Sequence, residues 1–169
     1  MIKGKKAADF GIKARSKIII DLDVVTVAKW DKGRDGDLSR MFLIRAEKGE
    51  FAVYTPYTLL DLLDKWNHEK LKNKIKEFYI LNSAEIITAQ KVQIEIEKRG
   101  IDENSLTHDL KLHQIKEEDI GLIIMASLFK IGYLITLNRK HLHNKKEVIN
   151  NVLQKYRLNA IKIALPGEI

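Results

Sequence analysis

Apolar residues in this chain fall into two patterns. Short, mostly apolar blocks of four to six positions, at 17–20, 51–54, 84–87, 133–136 and 160–165, are rich in Ile, Val, Leu and Tyr. Blocks of that length and composition predict strands buried on both faces. Between them, apolar positions recur every three or four residues. That spacing predicts helices over 24–30, from a turn at 31–37 to about 48, from Thr55-Pro56 through 66, and over 68–79, 89–99, 117–131 and 145–156. The punctuation agrees: Thr55 is a helix cap with Pro56 at the first helical position, and Gly100 and Gly132 close two of the helices. Residues 101–116 are polar enough to predict a connecting loop. Strands alternating with helices predict an α/β fold, its parallel sheet covered on both faces.

Length fits one such sheet. The chain has 169 residues, 45% of them apolar, enough for one core without covalent staples. The expected organisation is a basic tail at 1–16 and a single domain at 17–169. Cysteine is absent, which excludes disulfide frameworks, thiolate zinc sites and cysteine nucleophiles. The longest apolar run, 122–129, ends at Lys130 and is too short to span a bilayer. The first seventeen residues are basic but hold no apolar core of a secretory signal, so the expected location is the cytoplasm. Glycine-rich phosphate-binding fingerprints are absent, and Gly33-x-x-Gly36 reads as a turn.

The formal charge is +7, unevenly placed. Residues 1–17 and 138–157 each hold six basic residues against one acid. Clusters of this kind suit a polyanion, because phosphates release counterions when cationic side chains bind them. Solvated surface lysine is the plainer reading of the same clusters, and of the stripe Lys70, Lys72, Lys74 and Lys76. Trp30 and Trp66 fall at helical positions that suit a core or an interface.

Acids matter most where strands end, since open parallel sheets bind ligands beyond the carboxyl ends of their strands. Asp21 follows Ile18-Ile19-Ile20, and Asp61 sits inside Leu59-Leu60-Asp61-Leu62-Leu63. Asp119 occupies the first turn of the most apolar helix, and Asn138 follows Thr136-Leu137. Helix-dipole complementation accounts for Glu117 and Glu118, and Asp23 is a candidate N-cap. Asp21 and Asp61 are the acids that burial would make costly. Carboxylates gathered in one crevice raise each other's pKa values, and a hard divalent cation such as Mg²⁺ or Mn²⁺ relieves that repulsion.

In order and interval these pieces resemble the PIN-domain family of metal-dependent ribonucleases, which includes the VapC-type toxins. The matching residues are Ile18 through Asp23, Tyr54-Thr55-Pro56 with Leu60-Asp61-Leu62, Glu118-Asp119 with Ile123 and Ala126, and Leu134 through Asn138 with His141-Leu142. Together they cover roughly residues 17–165. The resemblance implies a three-layer α/β/α fold whose five parallel strands run in the order 3-2-1-4-5. It implies a site in which Asp21, Asp61 and Asp119 hold Mg²⁺ or Mn²⁺, with Thr136 as a supporting hydroxyl. Asn138 stands where a fourth aspartate is frequent, and Asp61 where glutamate is commoner. It further implies cleavage of RNA to 5′-phosphate and 3′-hydroxyl ends, a homodimer, and in toxin members a small antitoxin protein as partner.

The expected function is therefore an endoribonuclease using metal-activated water, toxin-like or RNA-processing. Arg139, Lys140, Lys145 and Lys146 are its candidate phosphate contacts. The alternative is a catalytically weakened RNA- or protein-binding module, for which Asn138 is the evidence, an amide being uncharged and unable to act as a base. A haloacid-dehalogenase-type phosphatase is suggested by Asp21-Leu22-Asp23-Val24-Val25. That motif fails its context, because the acidic pair Glu118-Asp119 precedes the threonine-ended strand instead of following it.

Overall fold

A computed structural model describes residues 15–169; most of the expected basic tail, residues 1–14, lies outside the described residues. Five strands form the sheet: β1 (Ser16–Ile20), β2 (Phe51–Pro56), β3 (Ser83–Ile87), β4 (Tyr133–Ile135) and β5 (Lys162–Ala164). All neighbouring pairs are parallel, in the order β3-β2-β1-β4-β5. Eight helices flank them among the described residues: α1 (Leu22–Trp30), α2 (Arg34–Glu47), α3 (Tyr57–Asp64), α4 (Glu69–Asn82), α5 (Ala89–Arg99), α6 (Glu103–Leu112), α7 (Glu117–Leu128) and α8 (Lys146–Lys155). The layers are α/β/α, in the strand order that the motifs led us to expect.

The sheet is built around its central strand. Ile18, Ile19 and Ile20 are fully buried, because β1 has strands on both edges and helices on both faces. Each such side chain contributes about 1.5–3 kcal/mol by leaving water. Ile18 pairs with Val53 on one side and Tyr133 on the other, and Ile20 pairs with Ile135. That register brings the carboxyl ends of β1 and β4 level. The chain runs outward from β1 to β3 on one side and from β4 to β5 on the other, so strand order reverses between β1 and β4. A crevice opens at such a reversal. Tyr79 of α4, wholly buried, donates from its hydroxyl to the Ile20 carbonyl at 2.7 Å and fixes the end of β1 just before Asp21.

Three local expectations are corrected. Thr55 does not cap a helix: β2 continues through it to Pro56, and its buried hydroxyl pairs with Ser83 Oγ on β3. Pro56 takes the cap position, where its missing N–H costs nothing. Residues 101–116 are not all loop. They contain α6, capped by Asp102 through the Ser105 N–H at 3.1 Å and anchored by the buried Leu106 and Leu110. Two apolar residues four apart are a narrow stripe, but they suffice to seat a short helix against α7 and α8. Gly36 belongs to α2 and not to a turn. A Cβ there would lie 2.1 Å from the Asp31 carbonyl oxygen, so only glycine lets α2 pack this closely on the end of α1.

Candidate active site

Asp21 follows the last residue of β1. Its backbone N–H bonds the Ile135 carbonyl of β4 at 2.9 Å, and its side chain caps α1 through the Leu22 N–H at 2.8 Å. Thr136, buried directly after β4, donates from Oγ1 to Asp21 Oδ2 at 2.9 Å and accepts the Asn138 N–H at 3.0 Å. A strand end, a helix cap and a hydroxyl from the next strand therefore fix one carboxylate.

Asp23 joins this cluster, which its sequence position did not announce. Asp21 is the cap of α1, and Asp23, in the first helical turn, reaches across to β4. It accepts the Leu137 N–H through both oxygens at 3.1 and 3.2 Å and lies 3.3 Å from Thr136 Oγ1. The Asp-x-Asp pair is visible in the sequence, but residues two apart on a helix do not share a face, so the placement of Asp23 rests on its tertiary partner, the Leu137 N–H.

Asp119, in the first turn of α7, is buried and accepts from Asn138 Nδ2 at 3.2 Å. Asn138 Oδ1 in turn accepts the His141 N–H at 3.1 Å. Both ends of the amide are thus engaged, and its orientation follows from the partners: oxygen towards an N–H, nitrogen towards a carboxylate. Asn138 holds Asp119 in place, where an aspartate would repel it.

Burial raises all three carboxyl pKa values. Asp21 stands well above the ordinary value, chiefly through loss of water and then through the charges of Asp23 and Asp119, against the pull of Thr136 and Leu22. Asp23 is raised by burial and partly held down by its bonds to Leu137 and Thr136. Asp119 is pushed up to about 6 by burial, then by the charges of Asp23 and Glu118, with Lys116 opposing. Among the described residues no Lys or Arg forms an ion pair with any of the three.

Asp21 and Asp119 line one pocket of about 430 Å³, and Asp61, Thr58 and Lys65 of α3 and its end border it too. Asp61 is exposed, not buried among leucines as its neighbours suggested. On α3, Leu59 and Leu63 lie one turn apart and take the core side, which turns Asp61 outward to the pocket rim. Among the described residues no three His, Asp or Glu side chains stand close enough together to hold a metal ion as they are placed.

The expected phosphate contacts divide. Arg139 is tied to Asp35 of α2 by two parallel bonds of 2.9 Å, and Lys145 donates to the His113 carbonyl. Lys140 and Lys146 are exposed, and neither has an ion-pair partner among the described residues. Among the described residues no helix is long and apolar enough to cross a membrane.

No family model matches the chain, and no curated protein does. Among solved structures, the crystal structure of VapBC2 from Rickettsia felis bound to a DNA fragment from their promoter is similar, with a TM-score of 0.47 and 12% identity over 88% of this chain and 98% of that one. At that score and identity the likeness assigns neither family nor function.

Proposed function

We propose that this protein is an endoribonuclease dependent on Mg²⁺ or Mn²⁺. What carries the reading is the buried convergence of Asp21, Asp23 and Asp119 at the strand-order reversal, with raised pKa values and no ion-paired cation among the described residues. Hard oxygen donors of this kind suit Mg²⁺ or Mn²⁺. Asp21 and Asp119 would hold the ion, with Asp61 as a further ligand. Asp61 is exposed at the rim and would have to turn inward to do so, because the acids are not preset around an ion.

When bound, such an ion lowers the pKa of a coordinated water and steadies charge on a phosphate. The protein's own groups do the positioning. Thr136 orients Asp21, Asn138 orients Asp119, and the Leu137 N–H keeps Asp23 directed at the cluster. Lys65 at the pocket edge, with exposed Lys140 and Lys146, supplies positive charge for the flanking phosphates. Attack of water would leave 5′-phosphate and 3′-hydroxyl ends.

The test is cleavage of a labelled single-stranded RNA in Mn²⁺ and in EDTA by the wild type and Asp119→Asn. Loss of an outer-shell partner of a metal ligand costs about 10–100-fold, so loss of a ligand should reduce the metal-dependent rate by at least that much. Unchanged cleavage by Asp119→Asn rejects the assignment.

A second reading, a binding module that no longer cleaves, is favoured by the engaged amide of Asn138 and by the absence of a preset trio of acids. On that reading RNA or a protein partner binds equally well in EDTA and turnover is absent.

A further inference from the structure

Trp30, expected inside a core or interface, is 61% exposed at the end of α1. It lines a pocket of about 460 Å³ with Lys29, His68, Lys70, Leu71 and Lys74. Lys70 and Lys74 lie four apart on α4, so they share one face of that helix. The other lysines of the stripe are neutralised: Lys72 pairs with Glu69 and Lys76 with Asp64, each within 3 Å. Lys29, Lys70 and Lys74 form no ion pair among the described residues. Of the acids adjacent in sequence, Asp31 accepts the Gly36 N–H at 2.8 Å and Glu69 is paired with Lys72. His68 accepts the Leu71 N–H through Nδ1, so its neutral tautomer carries a donor at Nε2.

An exposed indole that shares a pocket with three ammonium groups and one N–H donor is complementary to an aromatic base attached to phosphate. Bases stack on such a face irrespective of sequence, while lysines track the backbone. Position adds an independent argument. The segment joining α3 to α4 borders both pockets: Lys65 lines the acidic one and His68, three residues later, the basic one. Along α1, Asp21 and Trp30 are nine residues apart, about 13 Å at helical rise. A strand leaving the acidic crevice along this segment would meet Trp30.

We propose that Trp30, with Lys29, Lys70 and Lys74, forms a metal-independent grip for single-stranded RNA, stacking one base and holding its flanking phosphates. The choice of RNA rests on the function proposed above; the grip itself requires no metal.

The test uses the full chain carrying Trp66→Phe, so that Trp30 is the sole tryptophan, in EDTA so that no cleavage intervenes. An eight-nucleotide oligouridylate should quench Trp30 fluorescence. Base–aromatic stacking is worth about 5- to 150-fold in affinity. In the chain retaining Trp66, Trp30→Ala should weaken binding of a fluorescein-labelled oligouridylate by that factor, and Trp30→Phe should keep most of it. Changing Lys29, Lys70 and Lys74 to Gln should reduce the slope of log affinity against log salt by about 2. Thermal unfolding at the wild-type temperature confirms that the variants fold. Equal binding by Trp30→Ala, equal affinity for uridine monophosphate, or equal quenching by an acidic peptide would each overturn the grip. Quenching without any Mn²⁺-dependent cleavage would uphold the grip and sink the nuclease. Cleavage that needs Asp119 but ignores Trp30 would do the reverse.

Discussion

Replacing Asp119 by Asn should stabilise the metal-free protein, and by an amount that depends on pH. Asp119 is a buried carboxyl whose pKa rises from the ordinary 3.8 to about 6. The folded state therefore holds its proton more tightly than the unfolded chain does. Between about pH 4 and pH 6 folding takes up protons, so wild-type stability falls as pH rises through that window. A shift of about two units, at about 1.4 kcal/mol each, sets a ceiling of about 3 kcal/mol. Water at the pocket mouth screens part of this, leaving about 1–2 kcal/mol. Asn is neutral throughout and still accepts the Asn138 amide proton, so the cost of ionising residue 119 disappears while its hydrogen bond stays. For a chain of this size each kcal/mol moves the midpoint by about 2–4 °C. Circular dichroism melts in EDTA should then show the variant about 2–8 °C above wild type at pH 7.5. At pH 4.5, where wild-type Asp119 is already largely protonated, the gain should shrink to a small remainder. An equal gain at both pH values, or a less stable variant at pH 7.5, would refute the electrostatic account of this cluster.

Four further outcomes follow from the same geometry. Mn²⁺ should raise the wild-type midpoint as RT ln(1 + [Mn²⁺]/Kd) requires, and the rise should fade below about pH 6 as Asp119 protonates; no rise at pH 7.5 argues against metal binding. Asn138→Asp sets a second carboxylate against Asp119 and removes its donor, so in EDTA it should cost about 1–3 kcal/mol in denaturant melts, a loss that Mn²⁺ should reverse. Arg139→Gln breaks an exposed pair with Asp35 and should cost under about 1 kcal/mol in the same melts. Gly36→Ala forces a methyl into the Asp31 carbonyl and should cost about 1–3 kcal/mol or more; a neutral effect there would show that the contact between α1 and α2 is looser than described.

The fold was legible because its signals are local. Three consecutive isoleucines fit a central strand, and Gly100, with φ of 63°, closes α5 as a helix-ending glycine should. Helix α6 was hidden because its buried face is only Leu106 and Leu110, and its partners come from distant helices. Thr55 misled because a threonine before proline caps a helix as readily as it ends a strand, and the deciding partner, Ser83, lies 28 residues away. In the candidate site, Asp21 and Asp119 were readable from strand end and helix turn. The burial expected of Asp61 was misjudged, because leucine neighbours in sequence are not neighbours on a helix face, although Asp61 does border the pocket. The part played by Asp23 depends on the Leu137 N–H, and the orientation of Asn138 on His141 and Asp119. Those are tertiary facts with no trace in spacing. The exposure of Trp30 was invisible for the same reason: periodicity says which face of a helix is apolar, but not where the helix overhangs its neighbours.

Thr136 has one hydroxyl hydrogen and two carboxylates within reach, Asp21 at 2.9 Å and Asp23 at 3.3 Å. It can satisfy only one of them at a time, and burial makes both carboxyls hold a proton more tightly than a free carboxyl does, Asp21 above all. A cation bound among them would favour the ionised forms. Its uptake should then discharge protons to the medium, more of them as the pH falls, and titration calorimetry in buffers of differing ionisation enthalpy would register that discharge as heat that changes with the buffer while the affinity does not.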